Sequence, residues 1–240
     1  MITNAQSGTN IYEIADRIYR INTPVELPVG AFSFNQYLIA DDKPLLFHTG
    51  PRRLFALVRE AIAAVLPPER LRYIAFSHFE ADECGSLNDF LAAAPDAVPV
   101  CGKVAALVSV NDVADRPALA LADGDTLALE GRALRWLDTP HLPHGWETGL
   151  MFDETTRTLL CSDLFTQPGT GAEALVETDI LGPSEAFRGA MDYYAHTPDT
   201  RAMLARLAGQ SPATLACMHG SAWQGDGAGL LRALADALGA

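Results

Sequence analysis

The sequence predicts an α/β protein in which two β-sheets are packed between two layers of helices. Two blocks of short β-like runs are each followed by helical segments, which is typical of such a layered arrangement. Between residues 53 and 110 helices and strands alternate, as expected for crossover connections on a sheet. No repeat, low-complexity segment or Gly/Ser linker divides the 240 residues, so we expect one domain over residues 1–240.

The N-terminal elements follow from the spacing of the apolar residues. Four short runs with strand character, separated by turns, cover residues 11–14, 17–22, 36–40 and 44–47. From Arg53 the apolar residues recur every three or four positions, which predicts a helix that ends before Pro67. The spacing then predicts strand 72–77, helix 86–94, strand 98–101 and helix 103–110.

The C-terminal part of the chain repeats this order. Residues 125–165 form β-like runs separated by turns, and helical spacing follows at 184–195 and 200–207. A last strand is predicted at 214–218 and a closing helix at 229–238. This second block supplies the second sheet and its helical layer.

Charge and cysteine usage exclude several classes of partner. The formal net charge is −13 and no stretch concentrates Lys and Arg, so we expect neither a nucleic-acid nor a membrane partner. The N-terminus lacks the pattern of a signal peptide, which predicts a cytoplasmic protein. The four cysteines have no metal-finger spacing and are expected to be reduced and buried: Cys84, Cys101, Cys161 and Cys217.

The segment SHFEADEC carries a candidate metal site. His78, Glu80 and Asp82 alternate directly after the predicted strand RYIAFS, and on an extended or loosely turned backbone such residues project to one side. Glu83 follows them. The competing interpretation of this octapeptide alone is a solvated acidic turn that contains one histidine.

Three other predicted strands also end in potential ligands. RALRWLDTP is followed by His141 and His144, RTLLCS by Asp163, and ATLACM by His219. Carboxylates gathered at strand ends repel one another unless cations neutralise them. The sequence therefore favours a metal centre over an acidic turn.

With these motifs the chain resembles the metallo-β-lactamase superfamily. The order His-x-Glu-x-Asp, then His, Asp and His, is similar to the diiron domain of flavodiiron proteins, and NQYLI, PLLFHTG, MDYYAH and MHGSAW resemble further segments of that domain. Zinc hydrolases of the superfamily typically have His-x-His-x-Asp-His, whereas this chain has Glu80 and Glu83 at two of the histidine positions. The resemblance implies a metallo-β-lactamase-like αββα sandwich with two mixed β-sheets.

The resemblance also implies a ligand set. His78, Glu80 and one histidine of HLPH would hold a first metal, Asp82 and His219 would hold a second, and Asp163 would bridge the two. We prefer His144, because Glu147-Thr148 then falls where flavodiiron proteins have Asp-Ser. His141 would in that case orient a ligand or be a core histidine.

Several further residues have two open interpretations. Glu83 stands where a histidine is usual, and would either bind the second metal or turn outward and leave an open position. His48 is either a hydrogen-bonded residue at a strand end or a support for a ligand. Tyr193 and Tyr194, which the resemblance places on a helix, would donate a hydrogen bond to bound oxygen species or pack in the core.

Cofactors and function follow from the ligands and the resemblance. Oxygen-rich, imidazole-supported sites favour iron or manganese over zinc, so we expect two iron ions, with zinc or manganese as substitutes. The flavodiiron likeness implies binding or reduction of O2 or NO. The chain has the length of the diiron domain alone, so we expect no FMN in it.

The same resemblance bears on partners and on a rival function. Catalysis would need an external donor such as rubredoxin or a flavoprotein, a sensor would need a signalling partner, and a homodimer is implied by the family alone. The alternative function is a dinuclear zinc metallohydrolase acting on a thioester, lactone or lactam.

Overall fold

The first half of the chain forms a mixed sheet. A computed structural model describes residues 1–28 and 30–239, and within these the first sheet has eight strands in chain order. They are β1 (Ile2–Asn4), β2 (Thr9–Ala15), β3 (Ile18–Leu27), β4 (Gly30–Ile39), β5 (Leu45–Phe47), β6 (Tyr73–Ala75), β7 (Val98–Gly102) and β8 (Leu119–Leu121). Neighbours are antiparallel from β1 to β5 and parallel from β5 to β8.

The second half forms the other mixed sheet. Its strands are β9 (Thr126–Ala128), β10 (Ala133–Asp138), β11 (Gly149–Asp153), β12 (Thr158–Ser162), β13 (Leu175–Val176), β14 (Thr214–Cys217) and β15 (Ala222–Gln224). Their order in the sheet is β13-β15-β14-β12-β11-β10-β9. The pair β12 and β14 is parallel, and the run from β9 to β12 is antiparallel.

Helices connect the strands and cover the sheets. They are α1 (Phe55–Ala63), α2 (Ala81–Cys84), α3 (Leu87–Ala93), α4 (Lys103–Ala105), α5 (Asn111–Val113), α6 (Leu181–Met191), α7 (Thr200–Gly209) and α8 (Gly227–Ala237). A π-helical segment, Ala106–Val110, joins α4 to α5, so the helix predicted at 103–110 continues to Val113. Short 3-10 turns lie at Arg52–Leu54 and Pro68–Arg70.

Three apolar clusters lie between successive layers. One packs α1 and α3 against the first sheet, with Val58 and Phe90 fully buried. A second lies between the two sheets around Trp136, and a third packs α7 and α8 against the second sheet. The predicted αββα sandwich is thereby confirmed, because apolar burial on both faces of each sheet requires a helical layer outside and a second sheet inside.

The hairpin of β3 and β4 is longer than predicted. The strands pair continuously from Ile18 opposite Ile39 to Leu27 opposite Gly30. The predicted strands cover only residues 17–22 and 36–40, because the segment between them contains polar residues that are nevertheless buried, among them Thr23, Ser33 and Asn35. Buried polar side chains conceal the alternation on which strand prediction relies.

The helix predicted at 184–195 ends early. Helix α6 stops at Met191, and Asp192 takes a left-handed conformation with φ 46°. The expectation that Tyr193 and Tyr194 lie on a helix is therefore wrong: both follow it, in the segment before α7. A left-handed residue after a helix is a common terminator, but it is usually Gly or Asn, so Asp192 gave no clear signal.

Two predictions from composition can be compared with the structure. All four cysteines are free and buried, as expected. Across residues 1–28 and 30–239, no helix has the length and apolar character needed to cross a membrane.

Candidate metal centre

The candidate ligands come together at one edge of the sandwich. His78 follows β6, Asp163 follows β12 and His219 follows β14, while His144 lies in the loop between β10 and β11. Parallel strands end at the same edge, so β12 and β14 carry Asp163 and His219 to one place. The inner packing of the two sheets then brings β6 alongside them.

We call the group formed by His78, Glu80 and His144 the first subsite. One carboxylate oxygen of Asp163 also faces this group. Oε2 of Glu80 lies 3.2 Å from Nε2 of His78 and 3.1 Å from Nε2 of His144. Oδ2 of Asp163 lies 3.6 Å and 3.5 Å from the same two nitrogens. Such spacing leaves room for a cation among atoms that all can act as ligands.

The other oxygen of Asp163 faces the second subsite (Asp82 and His219). Nε2 of His219 lies 3.2 Å from Oδ1 of Asp163 and 3.4 Å from Oδ2 of Asp82. The two carboxylate oxygens of Asp163 therefore point to different subsites, which is the geometry of a bridging ligand.

Glu83 faces the cluster and does not turn outward. The residue is completely buried, and its Oε2 lies 3.8 Å from Nε2 of His78. Neither carboxylate oxygen meets a hydrogen-bond donor within the described residues. Burial, followed by the charges of Asp163 and Asp82, raises the pKa of Glu83 well above its ordinary value.

The unpartnered atoms test whether the site fits a cation. Buried polar atoms in folded proteins are nearly always paired, so the two unpaired oxygens of Glu83 call for an explanation. The negative charges of Asp163, Asp82 and Glu80 add to burial in raising the pKa of the Glu83 carboxyl group. Bound divalent ions would supply the missing partner charge, so the donor set fits two metal ions.

The histidines hold the carboxylates in the charged state. The contacts of its carboxylate with the imidazoles of His144 and His78 lower the pKa of Glu80. Burial alone would lower the pKa of His219, but its bonds to Asp163 and Asp82 outweigh burial and raise that pKa to about 10. Burial would likewise raise the pKa values of Asp82 and Asp163, yet the interaction with His219 leaves both lowered. Protons on imidazoles thus occupy the places where metal cations would act.

Metal affinity should therefore increase with pH. The pKa of His219 is raised from 6.5 to about 10, so near neutral pH its imidazole is protonated and must lose a proton before Nε2 can bind a metal. We expect the apparent affinity for Zn²⁺ to rise about tenfold per pH unit for each proton displaced. Calorimetric titration near pH 6, 7 and 8, in buffers of different ionisation enthalpy, measures both affinity and proton release. Binding without proton release would contradict this prediction.

The backbone of the SHFEADEC segment differs from the extended form considered above. Residues 77–79 form a bend, Glu80 is extended with φ −137° and ψ 161°, and Asp82 lies in the one-turn helix α2. Glu80 and Asp82 therefore reach different subsites, because the chain turns between them. Simple alternation predicted their convergence but not this division.

The structure places His144, and not His141, beside the other candidate ligands. His141 is exposed, so it is not a core histidine. The loop around His144 is held by Thr148, whose hydroxyl donates to the carbonyl oxygens of His144 and Gly145. Glu147 accepts a hydrogen bond from the backbone N–H of Phe79 at 3.0 Å and so ties this loop to the SHFEADEC segment.

His48 lies behind the first subsite. It is 1% exposed, and Nε2 is 3.1 Å from Oγ of Ser77, which in turn contacts Nδ1 of His78 at 2.9 Å. Within the described residues, no hydrogen bond joins His48 directly to a candidate ligand. Its position is that of a support for His78.

A small cavity opens above the cluster. Its volume is about 140 Å³, and besides candidate ligands it is lined by Phe32, Thr166, Phe187 and Tyr193. The hydroxyl of Tyr193 donates to the backbone carbonyl of Asp163 at 3.2 Å. Tyr194 is buried behind it, in edge contact with the Tyr193 ring, and does not line this cavity.

The sequence did not predict that Phe32, Ser33 and Phe187 contribute to this site. Phe32 stacks against Phe187 with ring centroids 5.8 Å apart and contacts the imidazole of His219 at 4.5 Å. The backbone carbonyl of Ser33 accepts a hydrogen bond from Nδ1 of His219 at 2.9 Å and directs Nε2 to the cluster. No local motif marks these positions, since they are distant in sequence from the ligands that they contact.

Comparison with known proteins agrees with this geometry. A family model described as “ODP family beta lactamase” matches residues 32–220, which is well over half of the chain. The chain belongs to this family. The metallo-β-lactamase assignment made from the sequence is confirmed, and the ODP-family match includes every residue of both subsites.

Curated relatives of this ODP-family chain are larger proteins. It is 25% identical over 207 residues to the rubredoxin-oxygen oxidoreductase of Megalodesulfovibrio gigas, covering 82% of this chain and 50% of that protein. It is 28% identical over 182 residues to the anaerobic nitric oxide reductase flavorubredoxin of Salmonella arizonae, covering 73% and 37%. The chain spans half or less of the length of the curated relatives that it matches.

A solved structure confirms the fold. A fragment, residues 1–254, of diflavin flavoprotein A 5 from Nostoc sp. PCC 7120 superposes with a TM-score of 0.82 at 19% identity. The match covers 95% of the ODP-family chain and 94% of the fragment. The layered architecture of flavodiiron cores is therefore shared along nearly the whole chain.

Proposed function

We propose that this chain is a non-haem diiron protein that binds or reduces O2 or NO. The observation that carries the proposal is the position of Asp163, whose two carboxylate oxygens face two separate ligand groups. Two relatives are named for oxygen and nitric oxide reduction, which supports the same chemistry here.

The donor set favours iron. Four carboxylates, those of Glu80, Asp82, Glu83 and Asp163, surround the position between the imidazoles. Oxygen-rich sites supported by imidazole suit iron or manganese, whereas zinc sites contain more nitrogen or sulfur. Two iron ions are the proposed cofactor, and manganese or zinc would be substitutes.

The size of the cavity supports a diatomic ligand. A volume of about 140 Å³ exceeds the needs of O2 or NO, but pockets for larger organic ligands measure roughly 300–1,000 Å³. Phe32, Phe187 and Tyr193 form apolar walls, which suit an uncharged gas. A thioester or lactam would need a larger volume than this, so the cavity counts against the zinc hydrolase alternative.

The residues of the chain have separate tasks in this proposal. Two ferrous ions, when bound, would supply electrons and open positions for the gas. Glu83 would be a further carboxylate beside His78, and its negative charge would favour more highly charged iron. Tyr193 fixes the backbone of Asp163 through its hydroxyl and limits water with its ring; a hydrogen bond from Tyr193 or Tyr194 to the bound gas stays a prediction.

Partners and location are also proposals. Reduction would need an external electron donor, and the name of the oxidoreductase relative makes rubredoxin the first to test, with a flavoprotein second. Sensing would instead need a signalling partner. Four reduced cysteines support a cytoplasmic location. A homodimer stays a prediction from the family.

Iron loading and exposure to O2 test the proposal. Protein produced with iron should contain close to two iron ions per chain and, after anaerobic reduction, change its visible absorption when O2 is added. Steady O2 consumption with reduced rubredoxin would indicate a reductase, and a single stoichiometric event would indicate a sensor. Stoichiometric zinc with thioesterase activity, and no iron-dependent response, would overturn the proposal.

Replacing the two histidines of HLPH should separate their roles. His144→Ala removes an imidazole of the first subsite, so we expect metal affinity there to fall roughly 100-fold or more, beyond the typical cost of losing an outer support. His141→Ala changes an exposed residue of the same loop and should leave affinity unchanged. Metal titration of both variants checks this. Equal affinities would remove His144 from the ligand set.

A further inference from the structure

A chain of buried hydrogen bonds runs behind the first subsite. Sδ of Met218 lies 2.9 Å from Nδ1 of His48, and Nε2 of His48 lies 3.1 Å from Oγ of Ser77. Oγ of Ser77 lies 2.9 Å from Nδ1 of His78 and 2.7 Å from Oγ of Ser162. All five residues are at most 2% exposed, so water does not compete for these contacts.

The imidazole of His48 carries a single ring proton. Among the described residues its two nitrogens form hydrogen bonds only with a thioether and a hydroxyl, and none with a carboxylate. Burial lowers the pKa of His48 to about 3, so the ring is neutral at ordinary pH. A neutral imidazole has one donor nitrogen and one acceptor nitrogen.

The contact with the sulfur of Met218 determines which nitrogen of His48 is the donor. A thioether has no hydrogen and can only accept, so Nδ1 of His48 must carry the proton. Nε2 of His48 is then an acceptor and takes the only hydroxyl hydrogen of Ser77. Ser77 has no hydrogen left for its other neighbours, which must both donate to its oxygen.

The consequence falls on His78. Because Ser77 can only accept from it, Nδ1 of His78 must bear a hydrogen, and Nε2 is the nitrogen that can offer a lone pair to the cluster. We propose that Met218, acting through His48 and Ser77, holds the proton of His78 on Nδ1 and so presents Nε2 as a metal ligand. Met218, His48 and Ser77 are positioning residues, and their effect on metal binding rests on the proposed diiron function.

Loss of His48 would release this constraint. In His48→Phe the hydroxyl of Ser77 is free to donate to Nδ1 of His78, which allows the competing tautomer with its proton on Nε2. That proton blocks the lone pair needed by the first subsite. The second subsite, where His219 is fixed by the carbonyl of Ser33, does not depend on this chain.

Nitrogen-15 NMR of the metal-free protein tests the assignment directly. Long-range proton–nitrogen spectra should show His48 protonated on Nδ1 and unprotonated on Nε2. In Met218→Leu, which removes the acceptor with little change of volume, we expect His48 to move wholly or partly to the Nε2-protonated form. A wild-type His48 protonated on Nε2, or an unchanged tautomer in Met218→Leu, would overturn the proposal.

Titration with Zn²⁺ tests the effect on binding. We expect His48→Phe to weaken the first-subsite step roughly tenfold, which is typical for an outer support, and to leave the second step unchanged. Ser162→Ala is the matched control, because it removes a donor to Ser77 without freeing the Ser77 hydrogen, and both steps should match wild type. Unchanged steps in His48→Phe would refute the positioning role. If the wild-type chain binds no metal, the proposed diiron function fails. The NMR measurement of the His48 tautomer still tests the positioning of the His78 proton separately.

Discussion

Asp163→Asn is expected to abolish two-metal binding, the largest functional effect of a single substitution in this chain. Asparagine keeps the shape of the side chain but has one oxygen, so it cannot supply an oxygen to both subsites. The amide also removes one negative charge from a position 4% exposed, where little solvent screens the loss. We expect affinity to fall roughly 100-fold or more at one subsite at least, measured as iron per chain and by Zn²⁺ titration.

The control for this substitution is another buried aspartate. Asp153 is completely buried but lies at the end of β11 next to Arg132, so Asp153→Asn changes a buried acid outside the metal centre. It should keep both metal-binding steps, provided that circular dichroism shows a folded protein. In the metal-free state Asp163→Asn removes a carboxylate that pairs with the protonated His219, so its unfolding free energy should fall near neutral pH. Two metals bound with wild-type affinity in Asp163→Asn would refute the bridging role.

The candidate ligands were predictable because their signal is local. His78, Asp163 and His219 each come directly after an apolar strand, and strands are the part of a sequence that periodicity identifies best. The fold class was predictable for the same reason. A strand fixes where its last residue lies, so the residues following several parallel strands can be expected at one edge.

The remainder of the site depends on contacts between distant segments. Phe32 and Ser33 meet His219 across the sandwich, and Phe187 reaches the cavity from α6. The inward orientation of Glu83 depends on α2, a single helical turn too short to have a periodic pattern. Such features are set by tertiary packing between distant segments, which no local sequence pattern records.

Arg132 illustrates a structural role that the sequence concealed. Arg132 follows a bend at residues 130–131, and Asp41 lies in the bend that follows β4, so neither belongs to a strand whose pattern could indicate its partner. In the structure the guanidinium is buried. Its Nε lies 3.2 Å from the carboxylate of Asp41, and its Nη1 lies 3.2 Å from the carboxylate of Asp153. These contacts join the end of β4, in the first sheet, to β11 in the second.

Among the substitutions discussed for this chain, Arg132→Met is expected to lower the free energy of unfolding most. Methionine retains the apolar stem of the side chain but leaves Asp153, 0% exposed, without a cation and Asp41, 1% exposed, with only the half-exposed Arg17 at 3.8 Å. Removing one partner of a buried ion pair typically costs about 3–5 kcal/mol, which is a large fraction of the stability of a domain. Urea denaturation of the metal-free protein measures this, since bound metal would add its own stabilisation.

Arg135→Met separates the effect of burial from the effect of charge. Arg135 also pairs with a carboxylate, that of Glu154, but the two side chains are 42% and 36% exposed. Solvent screens such a pair, so its loss should cost roughly 0–1 kcal/mol. Both substitutions remove an arginine that pairs with carboxylates. The pairs of Arg132 with Asp41 and Asp153 are buried, whereas the pair of Arg135 with Glu154 is open to water.

A triple variant then tests the cause of the Arg132 effect. In Arg132→Met combined with Asp41→Asn and Asp153→Asn, no buried charge is left unpaired, and the neutral amides occupy the same volume. If uncompensated charge is the cause, the triple variant should be more stable than Arg132→Met alone, although it carries more substitutions. If lost packing or lost hydrogen bonds are the cause, each added change should lower stability further. The sign of this difference therefore decides whether the two sheets are joined here by charge neutralisation or by the arginine side chain as such.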